Sequence, residues 1–375
     1  MRRNLLLSAL AGMVALGAVP ALADMNIGTA GPLSNAEALF GNTWQNGMQL
    51  AIDQANAAGG VNGQKLVLQR QDDQGDPKQG TLIAQKFCDD ASIVAVIANF
   101  NSGVTIPSSD VYNRCGMPQV TNSSNPKVTA AGYDNLFRPI ANDYMQGGAP
   151  ATYALKTLGA KTAAIVHDKQ AFGQGVADVF KGDFEKGGGK VTSYSGVTAT
   201  DVDFSALITK LKTENPDVVY YGGTMPGVGL FLKQLRDLGV KSTFFAADPA
   251  FLPDLITTAR PANAEGAVVS FQAPPYDASP KLAKFAEDYK KAFNEGPGPY
   301  SAYGYNQASI IIEAMKSAGS DVSRESIVKG LRATKFDGLM GMVEFDDKGE
   351  MKEPSLYLYK VQGGKFVLEW PKSGS

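Results

Sequence analysis

Apolar runs of strand length alternate with amphipathic segments of helical length along the first part of the chain. The run IVAVIANF at residues 93–100 is apolar at nearly every position, which is typical of a strand buried on both faces of a parallel sheet. Residues 76–90 have helical spacing, and Asp76 followed by Pro77 is a typical helix start. Because strand and helix alternate without a hairpin, the pattern predicts a doubly wound parallel α/β sheet.

The same alternation restarts after Asn142. Residues 146–159 have a helical pattern, and further strand and helix pairs follow. Residues 341–370 predict two or three antiparallel strands around a turn at Lys348 and Gly349. The chain therefore contains two α/β units of similar order without a low-complexity linker, and its length suits two domains.

The first 23 residues have the parts of a secretory signal peptide. Arg2 and Arg3 form a basic head, residues 5–19 form an apolar core, and residues 21–23 (Ala-Leu-Ala) form a small-x-small cleavage site. A membrane anchor is the alternative, but the apolar run is short for a membrane span. We therefore expect export of the chain and cleavage after Ala23.

Charge and hydropathy limit the functions that the mature chain can have. Cleavage would leave 352 of the 375 residues, with 33 basic and 37 acidic side chains and a net charge of about −4. The sequence has no basic patch of the kind that nucleic acid requires, and no second long apolar run. The mature protein is expected to be soluble and to bind no nucleic acid.

Two cysteines, Cys88 and Cys115, remain in the mature chain. An exported protein folds where disulfides persist, and two cysteines allow only one pairing. A disulfide between them is the prediction, and two buried free thiols are the alternative.

Few residues suggest catalysis. The single histidine, His167, is followed by Asp168, and such a pair is compatible with a general base and its acidic partner. No nucleophile motif accompanies the pair. The simpler interpretation is a histidine at the end of a strand. The acidic pairs at residues 72–73 and 346–347 adjoin glycine turns and do not form a metal-ligand cluster. We therefore predict no catalytic residue, no metal site and no cofactor.

Ligands of open α/β sheets bind outside the carboxyl ends of the strands, so the residues that follow the predicted strands are informative. They are mostly small, hydroxyl-bearing, amide or aromatic, as in NFNSGVT at 99–105 and TNSSNP at 121–126. Asp248 is interpreted as the single acid among them. This set suits a small ligand held by backbone groups and hydroxyls rather than a reaction.

Several longer motifs resemble those of the periplasmic substrate-binding proteins of ABC importers for branched-chain and related amino acids. The similarity covers essentially the whole mature chain. It is carried by GPLSNAEALFG at 31–41, AIDQANAAGGVNGQKL at 51–66, QDDQGDPKQG at 71–80, AIVHDKQAFGQG at 164–175 and DFSALITKLKTENPDVVYYGG at 203–223. The resemblance implies the type I periplasmic-binding-protein fold, an α/β architecture in which two doubly wound parallel-sheet lobes are joined by three crossovers.

The same resemblance implies a domain division and a function. The first lobe would hold residues 24–142 and 272–349, and the second lobe residues 143–271 and 350–375. The protein would be a monomer in the periplasm that captures a small amino acid, apolar or related, by hinge closure. It would deliver this ligand to an ABC permease in the inner membrane.

Ligand-binding residues are also implied by the resemblance. Ser102 matches a family serine that binds the ligand's carboxylate and ammonium groups, and Ser123 and Ser124 match a second such loop. Asp248 matches the acid that binds the α-ammonium group, where branched-chain binders typically have glutamate; a helix N-cap is its alternative role. Thr224 stands where these binders often have tyrosine.

Three further positions match family sites that are often aromatic and line the cleft, namely Phe40, Phe172 and Tyr300. Ordinary core packing is the alternative for each of them. Two other functions stay open. The same fold could bind an amide, a urea or an aromatic acid, or the protein could be a sensor that passes its ligand signal to a receptor.

Overall fold

The computed structural model of the protein describes residues 24–198 and 200–371. The predicted signal peptide, residues 1–23, lies outside this part of the chain, as do residues 372–375 of the predicted second lobe. Among the described residues, no helix combines the length and apolar character needed to cross a membrane.

The first sheet contains five parallel strands in the order β2-β1-β3-β4-β5. Its strands are β1 Met25–Gly31, β2 Leu66–Asp72, β3 Ile93–Ala98, β4 Gln119–Val120 and β5 Leu136–Phe137. Its helices are α1 Ala38–Ala57, α2 Pro77–Asp89, α3 Ser102–Arg114 and α4 Lys127–Ala130, and a 3₁₀ turn at Asn35–Glu37 precedes α1. We call this sheet and the helices packed on it the first lobe.

The second sheet has seven strands in the order β14-β13-β10-β9-β8-β6-β7. Five are parallel: β6 Thr162–His167, β7 Lys190–Gly196, β8 Val218–Gly222, β9 Thr243–Ala246 and β10 Val268–Phe271. Helix α5 Asp143–Lys156 precedes β6. The helices between the parallel strands are α6 Ala171–Lys186, α7 Ser205–Glu214, α8 Gly227–Asp237, α9 Pro253–Ala259 and α10 Pro261–Ala264, with a 3₁₀ turn at Asp248–Ala250. This sheet and its helices form the second lobe.

The chain then returns to the first lobe. Helices α11 Pro280–Phe293, α12 Ser301–Ser317 and α13 Arg324–Arg332 follow β10, and α12 packs along α1. A short hairpin comes next, formed by β11 Lys335–Gly338 and β12 Gly341–Glu344. The two predicted α/β units are therefore present, and the predicted fold class is confirmed by the sheet topology.

The carboxyl-terminal strands correct one prediction. β13 Tyr357–Gln362 and β14 Lys365–Trp370 form an antiparallel hairpin on the edge of the second sheet. Its turn is Gly363-Gly364, where both residues have positive φ, as a two-residue hairpin turn of this kind requires. The turn predicted around Gly349 is smaller and closes only an isolated bridge between Phe345 and Met351.

Both faces of the second sheet are buried, as expected for parallel strands. Val219 and Tyr221 belong to the largest apolar cluster, which continues into the first lobe. Val218 and Tyr220 belong to a separate cluster. Because alternate residues of a strand point to opposite faces, these two clusters cover the two sides of the sheet.

Local capping fixes where the helices begin. The Asp76 side chain accepts hydrogen bonds of 2.9 Å from the backbone N–H groups of Lys78 and Gln79, and Pro77 occupies the first position of α2. The predicted helix start is therefore confirmed.

Cys88 and Cys115 form a disulfide, with their Cα atoms 5.8 Å apart. Cys88 lies in α2 and Cys115 follows α3, so the bond ties two helices of the first lobe together. With a sequence separation of 27, the closed loop is expected to stabilise the folded chain by about 3–4 kcal/mol in the chain-entropy model.

Candidate functional site

A cavity of about 420 Å³ lies between the carboxyl ends of the two sheets. Its walls include the loops after β1, β2, β3 and β4 in the first lobe, the loops after β6, β8 and β9 in the second, and Tyr300 just before α12. This is the position where open α/β sheets bind ligands, and the volume is within the range of small-molecule sites.

Asp248 is the acid that the sequence analysis placed in this cavity, and the structure has it on the wall at 6% exposure. The Tyr300 hydroxyl donates a hydrogen bond of 3.1 Å to Oδ2 of Asp248. Oδ1 has no donor in hydrogen-bond geometry among the described residues, although the side chains of Gln146 and Gln272 are near enough to lower the pKa. Burial raises the pKa of Asp248 to about 7. The alternative role as a helix N-cap is wrong, because Ala247 holds the N-cap position of the 3₁₀ turn at Asp248–Ala250 and Leu252 that of α9.

A second buried acid lies beside Asp248. Asp143, the first residue of α5, is fully buried, and burial raises the pKa of its carboxyl group to about 7. The Ser124 hydroxyl and Arg138 lower this pKa, and the charge of Asp248 raises it. Ser124 and Asp248 therefore both lie near Asp143, which places them at the same end of the cavity.

Ser102 and Ser124 supply hydroxyl groups to the cavity wall. Ser102 is the first residue of α3, so the free N–H groups of the helix start lie next to its hydroxyl. The backbone N–H of Asn125 donates to Ser102 Oγ at 3.4 Å. Hydroxyls beside a helix N-terminus form a suitable site for a carboxylate.

Ser123 requires a correction, because its side chain does not reach the cavity. Its hydroxyl points inward, where it is hydrogen-bonded to the Thr105 hydroxyl and donates to the carbonyl of Phe100 at 3.2 Å. Both serines were predicted to bind the ligand, but only Ser124 lines the cavity.

The loop that carries Ser124 is held from behind by Arg138, which the sequence analysis missed. The Arg138 guanidinium is fully buried and donates to the carbonyls of Ser123 at 3.2 Å and Asn125 at 2.8 Å. It also donates to the Thr129 hydroxyl and forms an ion pair with Glu350. Arg138 thus fixes the backbone of the loop, although Arg138 does not itself line the cavity.

A second chain of hydrogen bonds supports the same loop. Trp44 Nε1 donates to Gln307 Oε1 at 2.6 Å, and Gln307 Nε2 donates to Asn122 Oδ1 at 3.1 Å. Asn122 lines the cavity, so a side chain of α1 positions a wall residue through α12.

Aromatic rings form much of the remaining wall. Phe172 and Tyr300 line the cavity as predicted, together with Phe100 and Tyr221, which were missed. Phe40 requires a correction: it is 1% exposed and packs behind this wall, with ring centroids 6.0 Å from Phe100 and 5.5 Å from Tyr300.

The prediction of a single acid at the strand ends is wrong. Glu37, after β1, and Asp168, after β6, also line the cavity. Thr224 lines it as well, in the loop after β8. Among the described residues that form the wall, none is lysine, arginine or histidine. The cavity is therefore acidic, with neutral donors as its only binding groups for an anion.

His167 is not part of this wall. It is buried at the end of β6, where its Nδ1 accepts a hydrogen bond of 3.1 Å from the backbone N–H of Lys169. Burial lowers the pKa of its imidazole. Within residues 24–198 and 200–371, no group of three or more histidine, cysteine or carboxylate side chains is arranged to hold a metal ion.

Two sheets that face each other across a cavity of this kind define a two-lobe ligand-binding protein. The model of the periplasmic binding protein family matches residues 24–365, and the chain belongs to this family. Leu/Ile/Val-binding protein homolog 1 of Brucella melitensis is 37% identical over 358 residues, or 95% of each chain. An amino acid binding protein of Pseudomonas aeruginosa is 34% identical over 364 residues, or 96% of each chain.

A solved structure confirms the type I fold. The leucine-binding protein of Thermotoga maritima superposes with a TM-score of 0.85 at 29% identity, covering 92% of this chain and 97% of that one. The resemblance drawn from the sequence motifs is therefore confirmed.

Proposed function

We propose that this chain is the periplasmic ligand-binding subunit of an ABC importer and that it captures an α-amino acid between its lobes. One observation carries the proposal. The buried Asp248 carboxylate has an Oδ1 atom without a donor in hydrogen-bond geometry among the described residues, and Ser124 lines the same cavity. Every α-amino acid carries an α-ammonium group beside an α-carboxylate. The Asp248 carboxylate can bind the ammonium group, and the Ser124 hydroxyl can donate to the carboxylate.

The relatives support the same ligand class, since the Brucella protein is named for leucine, isoleucine and valine and the Thermotoga protein for leucine. On this proposal the chain performs no catalysis and acts as a monomer. It is exported to the periplasm with cleavage after Ala23, and it passes its ligand to an inner-membrane permease. The predicted lobe boundaries belong to the same proposal, and the division of the strands between two sheets supports them.

A thermal-shift screen of the mature protein against amino acids, amides, urea and aromatic acids tests the proposal. A true ligand at a hundred times its Kd adds about 2.7 kcal/mol to the free energy of unfolding, which raises the melting temperature. We expect stabilisation by α-amino acids. Stabilisation only by amides, urea or aromatic acids would contradict the amino-acid assignment.

Binding should weaken in acid. The ammonium group of the ligand pairs with ionised Asp248, whose pKa in the free protein is raised to about 7 by burial. Below that pH, binding must first release a proton, so the apparent Kd should rise by about tenfold per pH unit. Calorimetric titrations between about pH 5 and pH 8 measure this slope.

The variant Asp248→Asn is the control for this pH dependence, because it has no carboxyl group to titrate at that position. Its residual binding should show a much flatter pH profile. An identical slope in the variant and the wild type would assign the titration to another group, such as Asp143.

A further inference from the structure

The two ends of the cavity differ in chemistry, and the strand order separates them. In the second lobe, β8 lies between β9 and β6, so Asp248 and Asp168 follow strands two positions apart. In the first lobe, β3 lies between β4 and β1, so Ser124 and Glu37 are separated in the same way. Neighbouring strands are about 4.8 Å apart, so the ends of β9 and β6, and those of β4 and β1, are separated by about 10 Å.

We call the end with Asp248 and Ser124 the head end, and the end with Glu37 and Asp168 the tail end. If the head end binds the α-amino and α-carboxyl groups, the side chain of the ligand extends towards the tail end. The residues at the tail end then decide which side chains are accepted.

Glu37 brings a carboxylate to the tail end from the first lobe. Its Oε2 accepts a hydrogen bond of 2.8 Å from Asn101 Nδ2. Burial raises the pKa of Glu37, while Asn101 and the Thr224 hydroxyl of the second lobe lower it. Glu37 therefore lies at the seam where the lobes meet.

Asp168 brings a second carboxylate from the opposite lobe and is 3% exposed. Its Oδ1 accepts from the backbone N–H of Gln170 at 2.9 Å. Its Oδ2 has no donor in hydrogen-bond geometry among the described residues, although the backbone N–H of Thr224 is near enough to lower the pKa. Burial nevertheless raises the pKa of Asp168 to about 6, and the charge of Glu37 contributes to this rise.

Buried carboxylates are normally paired with a cation or with several hydrogen-bond donors. No lysine, arginine or histidine among the described residues lines this cavity, so the protein itself supplies no such cation. An aliphatic side chain would cover Glu37 and Asp168 without pairing either of them. A side chain with N–H groups would pair both.

We propose that the ligand is an α-amino acid whose side chain ends in a nitrogen donor, an amine, guanidinium or amide, that hydrogen-bonds to Glu37 and Asp168. This inference rests on the proposed function and makes it more specific. It also separates this chain from the relatives named for leucine, isoleucine and valine.

Calorimetric titration of the mature protein with L-lysine, L-glutamine, L-leucine and L-norleucine tests the inference. Norleucine has the carbon chain of lysine without its amine. We expect lysine or glutamine to bind at least about tenfold more tightly than norleucine, as one charged hydrogen bond would give. Preference for lysine would identify a cationic ligand, and preference for glutamine an amide ligand.

If leucine or norleucine binds more tightly than both lysine and glutamine, this inference is overturned and the proposed function stays intact. If no α-amino acid binds at all, the proposed function fails and this inference fails with it. The two failures are therefore distinguishable.

The variant Glu37→Gln tests the residue itself. It keeps an acceptor for Asn101 and removes the charge, so the ratio of donor to norleucine affinity should fall by about ten- to a hundredfold. Asp168→Asn should lower the same ratio. The control is Glu325→Gln, on α13 with its side chain 79% exposed, and the ratio should be unchanged there. If Glu37 is only a contact between the lobes, both affinities will fall equally, and that result would overturn the inference.

Discussion

Replacing Asp248 by Asn is expected to weaken ligand binding by about 2–5 kcal/mol, a loss of tens to thousands of fold in affinity. The side chain keeps its shape, and its amide oxygen can still accept the hydrogen bond from Tyr300. What disappears is the charge that pairs with the α-ammonium group in a closed cavity. Calorimetric titration of the variant and the wild type with the best ligand from the screen measures the difference.

Two controls accompany this variant. Ser102→Ala should cost less, about 1–2 kcal/mol, because the backbone donors at the start of α3 remain. Asp254→Asn removes an exposed carboxylate from α9 in the same lobe, and its affinity should match the wild type. Equal affinity of Asp248→Asn and the wild type, or a best ligand without an α-amine, would contradict the assignment of Asp248.

Replacing Arg138 by Met is expected to lower the free energy of unfolding by about 3 kcal/mol, the lower end of the range for breaking a buried ion pair. The loss leaves Glu350 without its partner and leaves the carbonyls of Ser123 and Asn125 without their donor. Glu350 is partly exposed, so water offsets some of the cost. Urea unfolding followed by circular dichroism measures the change.

The matched control is Arg114→Met, which breaks an exposed pair with Asp110 on α3. Exposed pairs of this kind contribute at most about 1 kcal/mol. A similar loss in both variants would mean that burial of Arg138 has no special role. Ligand affinity should also fall in Arg138→Met and not in Arg114→Met, because Arg138 holds the loop of Ser124 and Arg114 does not contact it.

The fold could be predicted because its signals are local. Apolar runs such as residues 93–98 identify buried strands, and Asp76 with Pro77 identifies a helix start. The pairing of β4 and β5 has almost no local signal, since each strand has only two residues. The hairpin turn at Gly363-Gly364 has a local signal in its paired glycines, which resembles the signal of the predicted turn at Lys348-Gly349.

The site could be predicted only as far as the strand-end rule extends. That rule identified the loops of Ser102, Ser124 and Asp248, all of which line the cavity. It does not tell which of two adjacent serines points inward, because the answer depends on Thr105 in a neighbouring helix.

Glu37 and Asp168 were missed for a related reason. Both lie in loops that the strand-end rule had identified, but loop carboxylates usually point into solvent. Asp168 is buried and Glu37 is half-buried, in a cavity that both lobes form. A single sequence contains no direct information on how two lobes face each other.

The disulfide has a consequence for how the protein is produced. In a reducing cytoplasm, Cys88 and Cys115 would stay as thiols. The free energy of unfolding would then lack the contribution of about 3–4 kcal/mol from the closed loop. That difference changes the ratio of unfolded to folded molecules by about two to three orders of magnitude. An export machinery that transports unfolded chains would therefore receive a chain whose folded state is less stable. The disulfide would form only after the chain has crossed the membrane. Recombinant protein made inside a reducing cell should accordingly be oxidised before its affinities are compared with those of exported protein.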